Sequence, residues 1–155
     1  MGFLSALRIA GSALTAQRLR TDVIANNVAN MNTTRTAEGG PYKRQQVVFA
    51  SRQGGNSFRT VLLAHGMANL PGLFDDGRPG NGVMVQSVSP DGRPAKKVFE
   101  PDSPDANAEG FVEYPDIDPV TEMADMLSAT RAYEANVTTL NAAKGMAMKA
   151  LEIGR

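Results

Sequence analysis

The chain has no cysteine. That excludes disulfides, thiolate metal sites and cysteine nucleophiles together. An excess of either charge is also missing: 16 basic and 16 acidic side chains give a formal net charge of zero. The basic surplus expected of a nucleic-acid binder is therefore absent, and no nucleic-acid partner is assigned. No apolar run approaches the roughly 20 residues that cross a bilayer as a helix. The longest uncharged stretch, Thr60 to Phe74, is broken by His65, Gly66, Asn69, Pro71 and Gly72, so no transmembrane segment is assigned. The first residues, up to Gln17, have no basic start and place Arg8 inside what would be the apolar stretch of a signal peptide. They are read as part of the mature chain, without a conventional secretion signal.

Proline is missing from both ends. All nine prolines lie between Pro41 and Pro119, and eleven of the fifteen glycines lie between Gly39 and Gly110. Proline and mid-element glycine oppose helix, so the chain divides into helix, non-helix and helix. The reading is α+β: an N-terminal helical segment over 1–35, a β-rich middle over 36–119 with an insertion near 54–82, and a C-terminal helical segment over 120–155.

The first segment places Phe3, Leu7, Ala10, Leu14, Gln17, Thr21, Ile24 and Val28 on one heptad seam, with Leu4 and Leu19 beside it. Small residues on its other sides would let a neighbouring helix approach closely. Asn26, Asn27, Asn30 and Asn32 crowd its end, where an asparagine readily takes a left-handed cap. In the last segment, Asp118 before Pro119 reads as an N-cap with proline at the first helical position. Its seam holds Met123, Met126, Thr130, Tyr133, Val137, Leu140, Lys144, Ala147 and Leu151. Each helix is expected to be about 40 to 50 Å long at a rise of 1.5 Å per residue. Paired antiparallel, the two would satisfy their seams but leave Leu4, Leu19, Leu127 and Met148 outside. Such a pair is under-packed and needs further cover.

In the middle, strand patterns occur over Tyr42–Ala50, Val83–Val88, Lys97–Phe99 and Phe111–Tyr114, and three or four strands in one small antiparallel sheet are expected. Turns are signalled at Gly39-Gly40-Pro41, Asp91–Pro94 and Pro101–Pro104. Residues 36–119 carry eight basic and eleven acidic side chains, and the first 35 residues carry four and one. The resulting charges, minus three and plus three, favour attraction between the middle and the first helix.

Chemistry is sparse. His65 is the only histidine and lacks the partners of a metal site. A calcium loop counted from Asp116 meets Thr121 where glycine is needed and Leu127 where the chelating glutamate belongs. Asp75-Asp76-Gly77 is a turn signature, and Gly77 to Gly82 matches neither phosphate-loop template. Glu100, Glu109 and Glu113 are the residues on which a carboxylate-based wall hydrolase would have to rest. No catalytic residue, cofactor, metal or small-molecule substrate is assigned, and the chain is read as a non-enzyme. Orphaned helical faces favour an assembly subunit over a monomeric domain; an adaptor bound in one discrete complex is the alternative occupant of the same faces.

Specific strings sharpen this. Ile9-Ala10-Gly11-Ser12-Ala13-Leu14-Thr15-Ala16-Gln17 and Asn26-Asn27-Val28-Ala29-Asn30-Met31-Asn32-Thr33 resemble the N-terminal signature of the flagellar rod, hook and hook-associated axial proteins. Arg131-Ala132-Tyr133-Glu134-Ala135-Asn136-Val137, with Glu122-Met123, Lys144-Gly145-Met146 and Leu151-Glu152-Ile153-Gly154, resembles the C-terminal half of that family. Gly39 to Gln45, and Pro104 to Val112 with Pro115, resemble its proximal-rod member. From Gly54 to Gly82 the chain is longer than the family pattern. The resemblance implies a structural subunit of the basal-body rod, exported unfolded and uncleaved by the flagellar type III apparatus. It implies terminal helices that order on assembly with copies of the chain and other rod proteins. The middle would face outward, and the rod would carry torque from motor to hook across the periplasm. The residues assigned to the assembly interface are Leu7, Leu14, Ile24 and Val28 in the first helix, with Met126, Tyr133, Val137, Leu140 and Leu151 in the last.

Overall fold

A computed structural model describes residues 3–52 and 81–153. Helix α1 spans Phe3–Ala29 and α2 spans Pro119–Ile153, with four strands between them: β1 Gln45–Ser51, β2 Val83–Pro90, β3 Lys96–Phe99 and β4 Phe111–Tyr114. The α+β reading is correct. The segment assigned as an insertion, with His65, Asp75-Asp76 and most of the glycine run, lies outside the described residues except for Asn81 and Gly82.

Asp118 caps α2 as its sequence position predicts. Its carboxylate accepts from the Val120 amide at 3.2 Å, the Thr121 amide at 3.3 Å and the Thr121 hydroxyl at 2.6 Å, satisfying donors that the first helical turn leaves free. The end of α1 differs from expectation. No non-glycine residue among those described has a positive φ, so no asparagine forms a left-handed cap there. Asn30 instead donates its side-chain amide to the Asn26 carbonyl at 2.9 Å, and Asn27 turns inward.

The helices run antiparallel, because Asn27 in the last turn of α1 lies against Glu122 in the first turn of α2. Helix α2 has 35 residues against 27 in α1, a difference of eight. The excess falls at its C-terminal end, where Met148, Leu151 and Ile153 are exposed. The seam is finer-grained than the apolar heptad suggested. On α2 the buried positions are Glu122, Ala129 and Ala143, whereas Met123, Thr130 and Lys144 from the expected seam are exposed. The buried line is offset by one residue because small side chains let the backbones close up, while methionine there would hold them apart. On α1, Ala10 and Ile24 lie on the expected seam, and Ala16, Val23 and Asn27 are buried beside it. The wider arc follows from packing on two sides: α1 meets both α2 and the β1–β2 pair, whereas α2 meets no element but α1 among the described residues.

The strands form two separate antiparallel pairs, β1–β2 and β3–β4, in place of the single sheet expected. In the first, Gln45 lies opposite Pro90 and Ser51 opposite Val83, with a bulge between Val48 and Phe49. In the second, Phe99 meets Phe111 edge-on at 5.3 Å. The tight return into β4 requires Gly110, at φ +80°, where a Cβ would press on the Phe99 ring at 2.9 Å. The loop after α1 reaches this second pair through Thr34, whose hydroxyl donates to Asp105 at 2.7 Å.

Candidate functional site

Two regions carry what this molecule can do: the outer surface of the helix pair, and the polar junction that ties the pair to the strands.

The outer surface follows from having one neighbour per helix face. On α2, Val120, Met123 and Leu127 occupy one exposed face, and Leu127 is 54% exposed. The end beyond α1 carries Leu151 and Ile153 at 75% and 87% exposure. The interior between the helices is slight. The buried apolar residues of the described chain are Ala10, Ala16, Val23, Ile24, Val112, Ala129 and Ala143, more than half of them alanine. Of the residues assigned to the assembly interface, Ile24 is buried inside the subunit. Leu7, Leu14, Val28, Met126, Val137 and Leu140 are half-buried along the pair. Tyr133 and Leu151 are exposed, although the heptad placed them on the line facing α1. Gln17 adds an irregularity: its buried Oε1 has no hydrogen-bond partner among the described residues.

The junction is built around two nearly inaccessible polar side chains, Asn27 and Glu122, each 1% exposed. Asn27 Nδ2 donates to the Gln45 carbonyl at 2.8 Å and to Glu122 Oε2 at 3.2 Å. Its Oδ1 accepts from the Gln45 amide at 2.9 Å and from the Tyr42 hydroxyl at 3.1 Å. The other Glu122 oxygen accepts from Arg44 Nε at 2.7 Å. Arg44 also reaches Asp91 at 3.5 Å and Asp125 at 3.8 Å, and Arg20 from α1 meets Asp125 at 3.0 Å. Arg93 extends the chain of charges to Asp91 at 2.8 Å and Asp116 at 3.2 Å. One network thus joins the end of α1, the start of β1, the β2–β3 turn and the start of α2. Its charges shape its titration. The Arg93 hydrogen bond holds the Asp91 carboxyl below its ordinary value. Burial, then the nearby Glu122 charge, raises the Tyr42 phenol, so it keeps the proton that it donates.

Sequence patterning did not find this junction. Glu122 was legible only as part of a family string, and Asn27 only as part of another and as a cap. The available signal was a polar residue next to Val23 and Ile24 on the buried arc. Glu100, Glu109 and Glu113 are all exposed; Glu100 accepts from the Tyr114 hydroxyl at 3.0 Å and Glu113 pairs with Lys97 at 3.7 Å. No helix among the described residues is long and apolar enough to cross a membrane.

Residues 7–35 match the family described as "Flagella basal body rod protein", and residues 108–153 match the one described as "Flagellar basal body rod FlgEFG protein C-terminal". The chain is 47% identical over 153 residues to a protein of Bacillus subtilis, covering 96% of each. It is 43% identical over 157 residues to one of Borreliella burgdorferi, covering 99% of this chain and 98% of the other. To one of Escherichia coli it is 39% identical over 155 residues, covering both in full. All three relatives are named "Flagellar basal-body rod protein FlgC".

Proposed function

The chain belongs to the FlgC family of flagellar basal-body rod proteins and is a structural subunit of the basal-body rod, and on that premise we propose how it builds that rod. The terminal helices make the contacts between subunits. Leu7, Leu14, Val28, Met126, Tyr133, Val137, Leu140 and Leu151 supply the apolar surface, while Ile24 supports it from beneath. The neighbours are further copies of this chain and other rod proteins in the proximal segment. The subunit arrives through the flagellar type III export apparatus, and the rod carries torque from motor to hook across the periplasm. It performs no catalysis and uses no cofactor or small-molecule substrate.

One observation carries this reading. Among the described residues, helix α2 is covered on a single side by α1, and its other faces leave Met123, Leu127 and Leu151 exposed. Exposed apolar side chains along a helix of that length mark a surface that another chain covers. Deleting the gene tests the reading: motility should be lost and imaged basal bodies should lack a complete rod. Normal rods in the deletion strain would overturn it.

A further inference from the structure

We propose that Ser12 is a positioning residue, which together with the Asn27 junction fixes the β1–β2 pair to α1 at two points, so that the two turn as one body under load. The proposal rests on the rod reading above.

A helix-borne serine commonly bonds a carbonyl one turn back and does nothing else. Ser12 does more. Its hydroxyl hydrogen goes to the Ile9 carbonyl at 2.7 Å, which leaves its oxygen free to accept the Val83 amide at 3.1 Å, the first residue of β2. The approach is close enough to dictate the neighbouring residue. Gly82 has φ +107°, and a Cβ there would overlap the Ser12 hydroxyl and stand 3.5 Å from the Ile9 Cα. Few side chains adopt that φ, and the space is already filled. The Gly82 carbonyl in turn accepts from the Arg52 amide at 2.8 Å, so the ends of β1 and β2 are gathered at this anchor. One turn earlier, Arg8 donates to Asn81 at 3.0 Å.

The second anchor is Asn27, which holds the opposite end of β1 through both the amide and the carbonyl of Gln45. Fifteen residues of helix separate Ser12 from Asn27, about 22 Å at 1.5 Å per residue. A strand pair held at one point can swing about it. Held at both ends, with α1 packed along it between them, it cannot swing without breaking an anchor. The upper anchor is the weaker, since it consists of one serine hydroxyl and one exposed ion-to-amide contact.

The test compares Ser12→Ala, Gly82→Ala and Ser12→Thr in motile cells across media of rising viscosity, with basal bodies imaged in each strain. The expected result is that Ser12→Ala and Gly82→Ala cells build complete rods, swim normally in dilute medium and lose speed progressively against wild type as load rises. Ser12→Thr, which keeps the hydroxyl, should recover the wild-type load curve. Complete rods with a wild-type load curve in Ser12→Ala would overturn the proposal. So would fewer rods with an unchanged load curve in the cells that still swim, because a merely destabilised subunit behaves that way. Failure of the rod reading itself is separately visible, as normal rods after gene deletion.

Discussion

Asn27 uses all the hydrogen-bonding capacity of its amide, donating twice and accepting twice in a buried site. That fixes which end of the amide faces Glu122 and makes the position intolerant. Asn27→Ala should cost about 2–4 kcal/mol, since it strands several buried groups at once. Asn27→Asp should cost at least as much, because a second carboxyl facing Glu122 must either repel it or be held protonated, and it loses the amide's two donors. Denaturant unfolding of the variants checks both, and an Asp variant as stable as wild type would refute the assigned geometry. Asp118 allows a pH test at the same scale. The Thr121 hydroxyl first, and the Val120 amide next, hold its carboxyl below the ordinary 3.8. A carboxyl lowered on folding stabilises the fold above its unfolded value, and that contribution fades as pH falls through the folded one. The acid limb of a helicity titration should therefore shrink in Asp118→Asn, which retains a capping side chain without a titrating group. An identical limb in both proteins would contradict this.

At the scale of elements, the helix pair combines close packing with one flaw. Gln17 Oε1 is buried without a partner among the described residues, a state that costs about 1–3 kcal/mol. Gln17→Leu should raise stability by about 1 kcal/mol in denaturant unfolding, and destabilisation would mean that the amide has an important partner elsewhere. The helices themselves were legible from proline placement, the Asp118–Pro119 start and the apolar spacing. Their seam was less so. The heptad ranked positions by apolarity and therefore chose Met123 and Leu151, but the antiparallel contact is set by backbone distance, which favours Ala129 and Ala143. The strands were legible as segments, within a few residues at their ends. Their pairing was not, since nothing local in Lys96–Phe99 or Phe111–Tyr114 says whether they join β1 and β2 or stand apart.

At the scale of the molecule, the described chain buries few large apolar side chains and exposes many along α2. Leu151→Asp should leave the isolated subunit unchanged, because that residue is 75% exposed, yet prevent rods, because a charge there enters an intersubunit contact without a partner. Circular dichroism of the purified protein and imaging of basal bodies would test the two halves. Wild-type rods in this variant would remove the end of α2 from the interface. The two long helices, the start of the second, the strand segments and the family could be read from sequence alone, since each is written in neighbouring residues: proline, the Asp118 cap, periodicity and contiguous strings. That Asn27 and Glu122 meet, that Arg44 joins them, and that Ser12 receives the start of β2 follow from the folded arrangement. Those residues lie 95, 78 and 71 positions apart in their respective pairings, and local pattern has no way to register contacts made when distant segments close on one another.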